Sequence, residues 1–272
     1  MVYKSYNFHN IYHLGDNVFN MIFFKILESY LTENKIIIYY FCQPEYISQI
    51  KDFNSNPHVV IDSILNKPHN SVEIWIDKPM LGLSWTKIYN HNRRRGINRT
   101  NYNKFFSAFF NNIMKMMSIP RTIKLFYYKD RNLIERYLFF SKHYNKKYSN
   151  IDLLILNSEP KSGQYHYNKS DWDSYIKDVN SHFKVICTTK VDGVNCTSDD
   201  NLTIKDISAI SIKAKVIIAI NSGVVPGLLN KYTLNNVRRV FIFDNRCKYS
   251  YKNFENKDQV SEITFHELKK YI

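Results

Sequence analysis

The chain is poor in the residues that mark irregular, cross-linked or membrane-embedded proteins. Only 7 glycines and 7 prolines occur among 272 residues, too few for a collagen-like or low-complexity chain, while 44% apolar and 15% aromatic residues supply a core. The 4 cysteines, Cys42, Cys187, Cys196 and Cys247, form no Cys-x-x-Cys pair and no ordered Cys/His spacing. That argues against a zinc site or a disulfide framework and for a reducing compartment. No run approaches the roughly 20 apolar residues of a membrane span, and the start Met-Val-Tyr-Lys-Ser-Tyr-Asn lacks the apolar core of a signal peptide. A cytoplasmic location is expected. Neither a Gly-x-Ser-x-Gly elbow nor a Walker loop is present, which removes serine-hydrolase and P-loop chemistry.

Acidic side chains are also the minority, 24 against 38 Lys and Arg, for a formal charge of +14. Such a surplus favours a phosphorylated substrate, an anionic membrane surface or nucleic acid. Asn, Lys, Ile and Tyr are all abundant, as AT-rich codons produce, so part of the lysine excess is compositional and nucleic acid is the less favoured partner.

Val18, Phe19, Ile22, Phe23, Ile26, Leu27 and Tyr30 recur at helical spacing and predict a helix over 16–31 after a short polar start. Strands are expected over 35–41, 59–61 and 72–76, a helix over 44–53, and an amphipathic helix over 102–117 closed by Pro120. A strand over 123–128 and a helix over 132–143 lead to the polar, aperiodic stretch Tyr144 to Asn150, which reads as a linker. Beyond it, strands over 151–156, 184–187, 216–220 and 237–243 alternate with helices over 172–183, 204–214, around Leu228 and over 264–272. This alternation makes parallel sheets with crossover helices.

The richest segment is Val216-Ile-Ile-Ala-Ile-Asn-Ser-Gly-Val-Val-Pro-Gly-Leu-Leu229, a buried-type strand, a tight turn at Asn221-Ser222-Gly223 and a helix start. A helix N-terminus at the carboxyl end of a parallel strand is where anions bind in open α/β sheets; a plain βα turn with a serine cap fits the same residues. His13-Leu14-Gly15-Asp16-Asn17 opens the first helix in the same manner. Asp16 there either caps its helix or accepts a proton from a hydroxyl nucleophile.

Together these pieces resemble the ADP-heptose:lipopolysaccharide heptosyltransferase family. Leu14-Gly15-Asp16 is similar to its N-terminal motif, Ile218-Ala-Ile-Asn-Ser-Gly223 to its C-terminal turn, and Leu154 to Pro160, Lys169-Ser-Asp-Trp172, Lys184 to Cys187 and Leu202 to Ala209 follow in the family's order. The resemblance implies a GT-B fold, two Rossmann-like lobes whose parallel sheets face a central cleft. The lobes are expected over 1–145 and 146–272, with the terminal helix packing back on the first. It further implies metal-independent transfer of a sugar from a nucleotide-diphosphate sugar, with no other cofactor, to a glycan, lipid-linked or protein hydroxyl. Asp16 would be the base, Ser222 and Gly223 the diphosphate contacts and Lys169 a cation for the leaving group. Gly15, Asn17 and Asn221 would complete the donor-binding set.

The turn departs from the family's Gly-Pro-x-His, reading Gly223-Val-Val-Pro226, and Lys169 stands three residues before Trp172 where two is usual. A scaffold without activity, or a basic nucleic-acid-binding α/β protein, are the other classes the residues admit. Asp171-Trp-Asp173 matches a metal-binding Asp-x-Asp pattern, yet at a helix start Ser170 or Asp171 serves more simply as a cap. His91-Asn-Arg-Arg-Arg95 is similar to the His-x-Arg-Arg motif of GT-B fucosyltransferases, which would set Arg93 and Arg94 on a diphosphate or an acidic acceptor. As a solvated basic loop it needs neither.

Overall fold

The computed structural model describes residues 3–54, 56–75, 100–101, 110–111, 113–119, 146–161, 163, 165–229, 231–244, 249–250, 259–268 and 271. The chain divides into two compact units, Met1–Tyr137 and Leu138–Ile272. The expected strand over 123–128, the helix over 132–143, Arg93, Arg94 and Cys247 lie outside the described residues.

In the first unit four parallel strands, β1 (Lys4–Asn10), β2 (Ile36–Cys42), β3 (Val59–Ser63) and β4 (Val72–Glu73), lie in the order β3-β2-β1-β4. β1 corrects the sequence reading, which left these residues as a polar start. Lys4-Ser-Tyr-Asn-Phe-His-Asn10 has no apolar alternation, yet it pairs residue for residue with β2 from Lys4↔Ile36 to Asn10↔Cys42 and with β4 through Phe8↔Val72. The strand runs from exposed Lys4 and Ser5 to fully covered Phe8 and Asn10.

The helix expected over 16–31 begins two residues earlier and is broken: α1 (Leu14–Ile26) ends at Leu27 and α2 (Glu28–Glu33) continues. Val18, Met21, Ile22, Phe23 and Phe24 of α1 are buried, as are Ile38 and Tyr40 of the sheet, and the Phe24 and Tyr40 rings meet edge-on at 5.8 Å between centroids. A 3-10 turn, Pro44–Tyr46, leads into α3 (Ile47–Phe53).

In the second unit six parallel strands, β5 (Ile151–Leu156), β6 (Val185–Cys187), β7 (Asn195–Cys196), β8 (Ala214–Ile220), β9 (Arg239–Phe243) and β10 (Val260–Glu262), lie in the order β10-β9-β8-β5-β6-β7. The chain builds outward from β5 to β7, then returns to lay β8 on the other side of β5. That is the doubly wound order, with a topological switch between β5 and β8.

The sheet packs on α4 (Lys169–Asn180) through Trp172, Tyr175, Ile176 and Val179, all buried. α5 (Ile204–Ser211) starts in a full capping box, Thr203 with Asp206. α6 (Val225–Leu228) and α7 (Lys231–Asn236) are short pieces where one helix was expected.

The stretch read as a linker contains a 3-10 turn, Lys146–Tyr148, whose Tyr148 is buried and bonded to Asp200. Among the described residues of the terminal segment, α8 (Phe265–Leu268) packs in the core of the second unit: Leu268 belongs to it and Phe265 lies against Trp172 at 5.3 Å between ring centroids.

Candidate functional site

Each sheet has one place where strand order reverses, and at such a point the two outgoing loops diverge and leave a crevice at the carboxyl ends of the strands. In the first unit it lies between β1 and β4, in the second between β5 and β8.

The first crevice opens on the β1–α1 connection. Asn10, fully buried, accepts the N–H of Tyr12 at 2.9 Å and donates its amide to the Ile74 carbonyl at 3.3 Å, tying this loop to the end of β4. His13 stands at the N-cap in extended conformation without a side-chain cap, and its carbonyl accepts the N–H groups of Asp16 and Asn17. Asp16 is therefore not the cap the sequence suggested. It is the third residue of the helix, half-buried, with its charge in the first turn where the helix end favours a carboxylate.

Behind it runs a closed polar chain. Tyr40 donates to Asn17 Oδ1 at 2.6 Å, Asn20 donates to the Tyr40 hydroxyl at 2.9 Å and to the Ile74 carbonyl at 3.2 Å, and Asn17 donates to the His13 carbonyl at 2.9 Å. Burial holds the Tyr40 phenol well above its usual pKa, and the Asp16 charge adds a smaller push the same way. Gly15 and Asn17 are buried. The amide of Asn17 is bonded within the fold on both its oxygen and its nitrogen.

The second crevice lies where Leu156 and Ala219 are paired in register, so the loops after β5 and β8 leave the sheet at one level. The β8 loop carries Asn221, Ser222 and Gly223, all half-buried. Asn221 binds back to the neighbouring strand end: its N–H meets the Phe243 carbonyl at 3.0 Å and its amide donates to Asp244 Oδ2 at 2.6 Å. Ser222 accepts the Val225 N–H at 3.1 Å, while among the described residues the N–H groups of Ser222, Gly223 and Val224 donate to no backbone carbonyl. Consecutive uncommitted N–H groups on a turn make an anion-binding concavity. α6 is a single turn, so its dipole is small.

From the β5 side come Asn157 and Ser158. Asn157 Oδ1 accepts the N–H groups of Thr188 and Thr189 at 3.1 and 2.8 Å, and Ser158 Oγ lies 3.1 Å from Thr189 Oγ1. Asn157, fully buried, thereby fixes the loop after β5 to the Thr188–Thr189 loop. The sequence singled out Asn157 and Ser158 only as part of Leu154 to Pro160, and Asp244 not at all; its signal was a polar residue directly after an apolar strand.

Lys169 is the first residue of α4, exposed, and its ammonium is ion-paired with Asp173. The cap of that helix is Asn168, which accepts the N–H groups of Ser170 and Asp171, in place of the expected Ser170 or Asp171. Trp172 is a core residue, 5.0 Å from Phe243 between ring centroids. Asp171 and Asp173 flank it, Asp171 exposed and Asp173 engaged by Lys169. Among the described residues no group of three or more His, Cys, Asp or Glu side chains gathers as metal ligands. No helix among them is long and apolar enough to cross a membrane.

Neither a protein-family model nor a curated protein sequence matches the chain. Solved structures do. The E. coli heptosyltransferase WaaC with ADP-2-deoxy-2-fluoro heptose superposes with a TM-score of 0.52 at 8% identity, covering 98% of both chains. The same enzyme with ADP gives 0.50 at 9% identity, covering 98% of this chain and 96% of that one. The iron-containing dodecameric glycosyltransferase TibC of enterotoxigenic E. coli H10407 gives 0.50 at 9% identity; this chain is covered to 97% but spans only 63% of TibC. The chain accordingly has the fold of the heptosyltransferases, α/β of GT-B type with two parallel, Rossmann-like sheets.

Proposed function

We propose that the protein is a glycosyltransferase that moves a sugar from a nucleotide-diphosphate sugar to an acceptor hydroxyl. The observation that carries this reading is the coincidence of two independent lines at one turn. The Asn221-Ser222-Gly223 motif stands at the switch point of a doubly wound sheet, and its turn N–H groups are uncommitted to the backbone. The likeness of fold to WaaC, solved with ADP and with an ADP-sugar, supports the same ligand class.

In this reading the Ser222–Val224 N–H groups and the Ser222 hydroxyl hold the diphosphate. Asn221, clamped to Asp244, keeps the turn in shape, and Ser158 borders the donor. Lys169 joins only by releasing Asp173. Asp16 takes the proton of the acceptor hydroxyl as its oxygen bonds the anomeric carbon. The carbon–oxygen bond to the diphosphate breaks, and its electron pair leaves with the nucleoside diphosphate. Gly15 and the Asn17–Tyr40–Asn20 chain position that carboxylate.

The test is a thermal-shift screen against UDP-, GDP- and ADP-sugars, with a CMP-sugar, which carries a single phosphate, as the negative arm. A ligand at 100 times its Kd stabilises the native state by about 2.7 kcal/mol. One nucleotide class should raise the melting temperature, Gly223→Val should erase that shift, and Asp16→Asn should keep it while abolishing transfer. No shift with any donor, or full turnover by Asp16→Asn, would sink the proposal.

A further inference from the structure

We propose that Cys187 and Cys196 are a reversible oxidation site, a dithiol that closes to a disulfide across β6 and β7 when a peroxide reaches it. Both are free thiols, both are fully buried, and their sulfurs lie 3.0 Å apart. They are register partners of a parallel pair, Cys187↔Cys196. Neighbouring strands stand about 4.7–4.9 Å apart, inside the roughly 4.4–6.8 Å that a disulfide spans between α-carbons. The bond therefore needs rotation of two side chains and no movement of the backbone. Eight residues separate the two cysteines in the chain, so the pairing of β6 with β7 brings them together and local spacing does not.

The other contacts of the two sulfurs give way easily. Cys187 Sγ lies 3.6 Å from the Asn195 carbonyl, and Cys196 Sγ lies 3.3 Å from the Val194 carbonyl. A thiol is a weak donor, so losing these costs little. Cys196 Sγ also accepts the Val191 N–H at 3.3 Å, and a disulfide sulfur keeps the lone pairs for that bond.

Burial sets the pace. Desolvation, and after it the Cys196 thiol alongside, holds the Cys187 thiol above its usual pKa, so the closed fold contains little thiolate to react. The way in is the sheet edge. β7 has 2 residues, is the outermost strand of the described sheet, and carries an exposed Asn195. A short edge opens locally without global unfolding. One thiol then ionises and its sulfur attacks a peroxide oxygen; the O–O bond breaks, hydroxide leaves and a sulfenic acid forms. The second sulfur attacks the first, the S–O bond breaks, and the hydroxyl departs as water with the second thiol's proton. Two thiols are oxidised to one disulfide while one hydrogen peroxide is reduced to two waters.

The consequence is local. The connection from β6 to β7 begins with Thr188 and Thr189, whose N–H groups are held by Asn157 Oδ1. A bond between Cys187 and Cys196 closes that connection into a ring and removes its freedom to open with the edge. The site needs neither donor nor acceptor and is independent of the transferase reading.

The experiment treats the native full chain with excess hydrogen peroxide, then blocks and counts thiols in denaturant. Of the 4 cysteines, those at 187 and 196 should vanish from the count and return after dithiothreitol. Trypsin cuts after Lys190, between the two, so peptides 185–190 and 191–205 should run as one linked species until reduced. In the oxidised chain the amides of Thr188, Thr189 and Val191 should exchange more slowly with deuterium. Cys196→Ser should abolish the linked species; Cys196→Val, which keeps an apolar side chain in the strand, makes the same test if the serine variant does not fold. Retention of every thiol, sulfinic acid at Cys187 or Cys196 with no link, links to Cys42 or Cys247 in their place, or loss of the native circular dichroism as the link forms would overturn the site.

Discussion

Tyr40 shows how a single hydroxyl can tie a helix start to the sheet. It is fully buried, it donates to Asn17 and accepts from Asn20, and both amides belong to the helix that carries Asp16. Tyr40→Phe keeps the ring packing but leaves the Asn17 carbonyl oxygen buried without that donor. The expected cost is about 1–3 kcal/mol, read as a lower urea midpoint with an unchanged slope. Of this chain of amides the sequence singled out Asn17, but not its partners Tyr40 and Asn20. Asn10 and Asn20 look like surface polar residues by themselves, and only the approach of the Ile74 carbonyl, just after β4, gives them a common acceptor. Asp16 itself was legible, because a carboxylate opening an apolar helix after a Gly is a local pattern.

At the scale of elements, the contact between α5 and α6 depends on an absent side chain. A Cβ built on Gly227 would stand 2.6 Å from Ser208 Oγ and 3.3 Å from Ile204 Cγ2. Ser208 is buried and its hydroxyl is already bonded to the Ile204 carbonyl at 2.8 Å. Gly227→Ala should therefore destabilise by about 1–3 kcal/mol through overpacking, and adding Ser208→Ala should recover most of it; equal losses in single and double variants would show that this contact is not the cause. The apolar strands β2, β5, β8 and β9 were readable from their residues alone, since buried parallel strands are continuous apolar runs. β1 was not, because its polar residues become a central strand only by pairing with β2 and β4. The helix expected around Leu228 broke in two after Leu228, where Leu229 leaves helical geometry.

For the whole molecule, titration sets the window of stability. Asp152 is held below the usual carboxylate range by its bond to Lys215, Asp62 by the Ser63 N–H, and Asp200 by Lys147. A carboxylate whose folded pKa is depressed stabilises fully above its unfolded value, about 3.9, and that contribution is lost as pH falls through the folded pKa. At the other end, burial pushes the Cys42 thiol up to about 12 and raises Tyr175 as well. Those groups stay protonated in the native state while the unfolded chain ionises from about pH 8.5 to 10, so stability declines there. Urea midpoints should form a plateau from about pH 5 to 8 with a falling limb on each side. A midpoint that rose between pH 4 and pH 2, which lie on the acid limb, would contradict the assigned pairs. The same burial predicts that Cys42 resists thiol reagents at pH 8 until the protein unfolds.

The amino-acid sequence by itself determined the class: alternating apolar strands and amphipathic helices, a carboxylate at one helix start and an Asn-Ser-Gly turn after a buried strand, all signals carried by residues adjacent in the chain. The tertiary structure decided which of them share a place. Strand order set the reversal points, put Asp244 against Asn221 and Trp75 against Tyr12, and took Asn17 into the interior. The reason is physical. Propensity and periodicity act within a few residues, whereas a crevice is made by strands far apart in the chain whose pairing is chosen by the burial of the whole sheet.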